Sequence, residues 1–221
     1  MTVTTTPAQR TPVLPTAATT PSLLDRLLPR WDATRIERRV IDAPVDVVYS
    51  ETLHVDFLDA ARTHRLVHLL FAMRSLAERV VATVSLRRSP PTPPVSALRL
   101  IDLPRTGEWV ALAESPPHEI VFGAIGRFWA GETRWSPTDG QQFEAFDVPG
   151  FAKIGCNFVV RRLDANRAQL TYEARTCATS PEARRAFRRY WLVVSPFVGI
   201  IMRATLSVIA QNAAERLRTS T

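Results

Sequence analysis

The sequence predicts an α+β fold in which a long C-terminal helix lies across a curved antiparallel sheet. Two observations carry that expectation. Residues 97 to 178 read as short alternating segments separated by Pro, Gly and Asp/Asn breakers, the pattern of an antiparallel meander. The last forty residues then form a helix that is apolar on too many sides for a single flat contact.

The elements follow in chain order. Residues 1–20 are rich in Thr, Pro and Ala and carry one charge, Arg10, so they cannot bury enough apolar surface to offset ordering and read as a disordered tail. They contain no apolar h-region, which argues against a signal peptide. Residues 21–221 read as one domain. Pro21-Ser22 opens a short helical piece, SLLDRLLPR, which Pro29 ends. Its leucines share one face, set either on the domain surface or against a membrane. Residues 34–41 predict a first strand, with Ile36 and Val40 on one parity and Glu37 and Arg39 on the other. Asp42 is a good N-cap for the helix that follows, which places Val45, Val48, Tyr49 and Thr52 along one side. A second helical run extends from about Leu58 to Val81, and a loop with four prolines occupies residues 87–95. The meander strands are expected at about 97–102, 108–114, 119–129, 151–162 and 168–178. Residues 140–150 read as a helical turn or a strand.

Thr179-Ser180-Pro181-Glu182 is a strong start for the terminal helix. Phe187, Tyr190, Trp191 and Val194 follow at i, i+3, i+4 and i+7. Pro196 is expected to kink or divide the helix. Beyond it, Phe197, Ile200, Ile201, Ala204 and Val208 form one apolar stripe, and Val198, Met202, Leu206, Ile209, Ala213 and Leu217 another. Only Gly199, Arg203, Ser207, Gln211 and Glu215 make a polar line. A bent sheet wrapped around the helix would supply the cover this pattern needs.

The net charge of +7 is carried almost wholly by arginine, since Lys153 is the only lysine. Such a skew reads either as the imprint of a GC-rich genome or as selection for an anionic partner. The apolar run Tyr190–Met202 is too short for a membrane span and contains Pro196 and Gly199. The default location is cytoplasmic. The two cysteines, Cys156 and Cys177, fall on opposite parities of their strands and read as free thiols.

Here the residues resemble a known group. The order strand, two helices, meander, long terminal helix is similar to that of the START-like, or polyketide cyclase and lipid-transport (SRPBCC), superfamily, and VIDAPVDVVYSE resembles its common opening. LLDRLLPRWD, EIVFGAIGRFW, FEAFDVPGFAKIGCNFVV and LTYEARTCATSPEARRAFRRYWLVVSPFVGIIM resemble an uncharacterised, largely actinobacterial family within it. The resemblance covers about residues 23–217. It implies the helix-grip fold and a cavity between sheet and helix, and no particular chemistry.

Candidate site residues follow from parity. Phe122, Ala124, Gly126 and Phe128 make a small and aromatic row, and small residues there would leave space beneath the helix. Cys156, Phe158 and Tyr172 lie on the apolar parity of the next strands, with Phe197, Ile201 and Val208 on the helix above. These apolar positions, with Arg127, are the expected ligand-binding set. The Tyr172 hydroxyl either orients a ligand or is satisfied in the core. Arg127 either binds a ligand carboxylate or phosphate or pairs with Glu173 or Glu144. His118 is an acid–base candidate if it lies at the cavity mouth, and otherwise an exposed turn histidine. His64 and His68 have metal-ligand spacing, but no third ligand is near and HExxH is absent, so no metal is expected. No P-loop, GxGxxG or GxSxG occurs, so no cofactor is read. Arg184, Arg185, Arg188 and Arg189 make a basic helix face, either solvated with internal acidic partners or drawn weakly to a membrane surface. The interleaved aromatics lie on the apolar side, which disfavours nucleic acid.

The expected partner is a small apolar molecule, lipid- or polyketide-like. The alternatives are a cyclase or hydratase using the same cavity and an interaction module with a filled core. The sequence does not set an oligomeric state.

Overall fold

The computed structural model describes residues 21–57, 99–129 and 134–219. The tail, the helical run from Leu58, the proline-rich loop, His64 and His68 lie outside the described residues. The elements are α1 (Leu23–Leu27), β1 (Ala33–Ile41), α2 (Val45–His54), a 3-10 turn (Leu100–Asp102), β2 (Trp109–Ser115), β3 (Glu119–Arg127), β4 (Arg134–Ser136), α3 (Gly140–Ala145), β5 (Ala152–Arg162), β6 (Ala168–Ala178) and α4 (Pro181–Thr219). The strands form one antiparallel sheet in the order β1-β6-β5-β3-β2, with β4 pairing the far end of β3.

Alternation built the two central strands. Ala168, Leu170 and Tyr172 of β6 and Cys156, Phe158 and Val160 of β5 face α4. Met202, Leu206, Ile209 and Ala213 of α4 meet them, and Val48 and Tyr49 of α2 close the same core. Each large side chain there removes enough surface from water to contribute about 1.5–3 kcal/mol. Cys156 and Cys177 are free and on opposite faces.

Four expectations are corrected. The strand expected at 97–102 is a 3-10 turn, preceded by a single bridge between Asp56 and Arg99. Asp42 does not cap α2, which starts at Val45 behind Pro44 with no side-chain cap. Pro196 does not divide the terminal helix, which runs unbroken for 39 residues. Proline removes one amide donor, and the carbonyl it would have served belongs to Leu192, which is 80% exposed and open to water. The apolar run is therefore part of a helix long and apolar enough, by length and composition alone, to cross a bilayer. A core helix passes the same test, and the Met202–Ala213 stripe packs on the sheet.

The outer face of the sheet is also covered, although its parity looked solvent-facing. Leu24 and Leu28 pack on Val121, and Phe143 of α3 is fully buried beside them. Gly123 and Gly155 make the room. A Cβ on Gly155 would lie 2.8 Å from Leu24 Cδ1, and one on Gly123 would lie 3.0 Å from Phe143 Cε2. Glu119, only 8% exposed, fixes α1 in place. Its carboxylate accepts from the Leu23 amide (2.9 Å), the Leu24 amide (3.4 Å) and Asn157 Nδ2 (2.7 Å). That places a negative charge at a helix N-terminus, where unpaired amides favour it. Arg175 completes the clamp, bonding Asp25 and Glu173 while stacked over Trp31.

The edge strand β1 reverses the usual sidedness. Its charged parity faces α4, and Ile36 and Val40 point outward, 37% and 50% exposed. The polar line of α4 explains this. Arg203 pairs with Glu37 at 2.8 Å, Arg39 donates to Ser207 at 3.1 Å, and the Arg35 guanidinium lies on Gly199.

Candidate functional site

The space between sheet and helix lies under the first half of α4. Phe128, Trp135, Ile154, Thr176, Phe187, Tyr190, Trp191, Val194 and Val198 line a partly open cavity of about 200 Å³. Its walls come from the sheet and from α4. Ile154 of β5 and Thr176 of β6 line it with Phe128, just beyond β3, and Ala152, Ala178 and Ala183 pack beside Phe128. β4 brings Trp135 edge-on to Phe128, with ring centroids 5.4 Å apart. The helix contributes Phe187 and Trp191, stacked at 5.8 Å. Few of the lining residues carry polar side-chain groups: Thr176, Tyr190 and the two tryptophans.

The site residues expected from sequence are distributed as follows. Phe128 lines the cavity. Phe122, Cys156, Phe158 and Tyr172 sit in the main core, with Phe57 and Val208 packed against them. Phe158 and Tyr172 stack at 4.2 Å, and Phe122 lies 6.1 Å from Phe158. Phe197 and Ile201 are half-buried on α4 and do not line the cavity. Burial pushes the Tyr172 hydroxyl well above its ordinary value, and the adjacent Cys156 thiol adds to that. Burial likewise raises Cys156 to about 12. Neither group ionises near neutral pH.

Arg127 lies on the opposite parity from Phe128. Its guanidinium packs over the Phe151 ring at 4.7 Å and against Gly150, whose φ of +87° suits glycine. The pairing with Glu173 does not form, because Glu173 is held by Arg175 at 2.6 Å. His118 stands in the turn after the cis Pro116–Pro117 bond, on the rim of an outer-face groove. Tyr172, Arg127 and His118 therefore occupy three separate places.

That outer groove is larger, about 990 Å³, and most of the side chains along it are charged or polar. Several of the charges along it are already paired, Asp25 and Glu173 with Arg175 and Glu119 with Asn157. The apolar cavity is the better candidate, because burial of apolar surface is what would hold a ligand there. Among the described residues no group of three or more His, Cys, Asp or Glu is placed to hold a metal.

The cavity residues missed in the sequence carried a visible signal. Phe187, Tyr190, Trp191 and Val194 are the i, i+3, i+4, i+7 stripe of the terminal helix, and all four line the cavity. Trp135 gave none, because β4 has only three residues.

No family model matches the chain, and no curated protein does. Solved structures do match it at low identity. The Zhui aromatase/cyclase from Streptomyces sp. R1128 is 17% identical, covering 85% of this chain and 97% of its own, with a TM-score of 0.32. A protein from Nitrosospira multiformis is 15% identical over 84% of this chain and 99% of its own, with a TM-score of 0.38. One from Arthrobacter aurescens is 12% identical over 90% and 93%, with a TM-score of 0.37. An antiparallel sheet ordered β1-β6-β5-β3-β2, closed on one face by a long C-terminal helix, is a helix-grip fold.

Proposed function

We propose that the protein binds a small apolar ligand between the sheet and the first half of α4. The supporting observation is the cavity of about 200 Å³ walled by Phe128, Trp135, Phe187, Trp191, Val194 and Val198. Its size narrows the ligand. An apolar cavity of about 150 Å³ holds benzene, so this one suits a one- or two-ring aromatic or a short acyl end. A whole lipid or polyketide chain would have to extend through the open side. The Tyr190 and Thr176 hydroxyls favour a ligand with one hydrogen-bonding group at its buried end. The reading carries the cytoplasmic location expected from the sequence. A catalytic role for Tyr172, Arg127 and His118 together has no geometric support, since they do not converge.

Thermal shift against a panel of aromatic and acyl ligands tests the reading. A hit should raise the melting temperature of the wild type and not of Val194→Trp, which fills the cavity. Native mass spectrometry should show a copurified or added ligand lost in the same variant. No shift across the panel, or a shift unchanged in Val194→Trp, overturns it.

A further inference from the structure

The outward side of the same helical stretch is unusual in a different way. Leu192 and Val193 are 80% and 67% exposed, the most exposed of the large apolar side chains described. One turn earlier on that face stand Arg188 and Arg189, both exposed. Arg184 and Arg185 answer to Asp32 and Glu182, whereas Arg188 and Arg189 have no acidic partner among the described residues. Residues i, i+1, i+4 and i+5 lie on one broad side of a helix, so two cations without an acidic partner among the described residues and two exposed apolar side chains form one patch.

The geometry points to docking of this face on an anionic lipid surface. Leu192 and Val193 would enter the headgroup–acyl boundary, and the arginines, with long apolar stems, would reach phosphate from beside them. Other occupants fit less well. A second copy meeting the face about a two-fold axis would set Arg188 and Arg189 near their own counterparts, on a chain whose net charge is already +7. A protein partner needs roughly 800 Å² of matched surface, far more than two side chains on a convex helix supply. A bilayer needs no matched shape. Phe187, Tyr190 and Val194 line the cavity on the inner side of this stretch, so docking would set the cavity close to the membrane. The proposal does not depend on the cavity being occupied.

Vesicle flotation with the full chain tests it, using vesicles of equal parts phosphatidylglycerol and phosphatidylcholine against pure phosphatidylcholine. Partition should favour the anionic vesicles and fall as salt rises. Arg188→Ala and Arg189→Ala should each weaken it about fivefold. Leu192→Ser with Val193→Ser should weaken it about tenfold or more, with the melting temperature unchanged because both side chains are exposed. Equal binding to both vesicle types, or patch variants that partition like wild type, overturns the proposal. A concentration-dependent dimer in sedimentation equilibrium, abolished by the Leu192/Val193 variant without vesicle binding, overturns it in favour of a second copy. Small-ligand binding without vesicle binding overturns it and leaves the cavity reading standing.

Discussion

Replacing Glu119 with alanine should loosen α1 from the sheet at a cost that can be worked out bond by bond. The carboxylate holds Asn157 Nδ2 at 2.7 Å and the Leu23 amide at 2.9 Å, with the Leu24 amide more weakly at 3.4 Å. Asn157 is 1% exposed, and its Oδ1 already lacks a partner, so the variant leaves a buried amide unsatisfied at both ends. That orphaning costs about 1–3 kcal/mol. Loss of a charge-assisted bond to the first turn of α1, with its helix-end electrostatics, adds about 1–2 kcal/mol. The expected total is about 2–5 kcal/mol, read as a lower urea midpoint. At about 2–4 °C per kcal/mol for a domain of this size, melting should drop by about 4–20 °C. The discriminating variant is Glu119→Ala with Asn157→Ala. Removing both polar partners removes the orphan, so the double variant should be about 1–2 kcal/mol more stable than the sum of the singles predicts. Additivity within about 0.5 kcal/mol would refute the reasoning.

Three further outcomes are expected. A Cβ at Gly199 would stand 2.6 Å from Arg35 Cζ, so Gly199→Ala should be near neutral in the wild type yet stabilise Arg35→Ala by about 1 kcal/mol, measured by urea denaturation; equal gain in both backgrounds would contradict that packing. Burial alone would raise Asp25, but the Ser22 amide, Arg175 and the Ser22 hydroxyl outweigh it and hold the carboxyl below its ordinary value. Its stabilisation is therefore complete above about pH 4 and lost as pH falls through the lower folded value, so Asp25→Asn should flatten the acid limb of a stability–pH curve. Buried Cys156, raised to about 12, should resist iodoacetamide at pH 8 in the native protein, and mass spectrometry finding it alkylated as fast as a free thiol would count against the core as described.

The sequence showed the central strands well because their signals agree. β6 runs from Ala168 to Ala178 as expected, with regular alternation between clear breakers. The outer face was harder to read. Glu119 and Arg175 look like solvent residues, and only their pairing with Asn157, α1 and Glu173 in space makes burial affordable. Gly123 and Gly155 read as gaps in strands, when they are the seats for Phe143 and Leu24. The cavity was expected beneath the terminal helix, where Gly126 and Ala124 promised room and Phe197, Ile201 and Val208 were to cover it. The Phe128 and Trp135 rings stand at Gly126 instead, with a Cβ there only 2.8 Å and 3.3 Å from them. Side-chain volume from a three-residue strand that alternation cannot detect thus moved the space along the helix.

The edge strand carries a consequence for how the sheet finds its alignment. Sliding β1 by one residue would turn Ile36, Arg38 and Val40 toward α4 and expel Arg35, Glu37, Arg39 and the buried Ile41 to water. On apolar burial alone the two alignments are nearly matched, since half-exposed Ile36 and Val40 gain about what Ile41 loses. The slipped strand loses because Arg203 and Ser207 would forfeit Glu37 and Arg39, and Gly199 would face no guanidinium. Apolar burial thus leaves the choice of alignment to the polar partners. A few ionic contacts, weakened by salt where they are exposed, act as a ratchet tooth that keeps the outermost strand from settling one notch away.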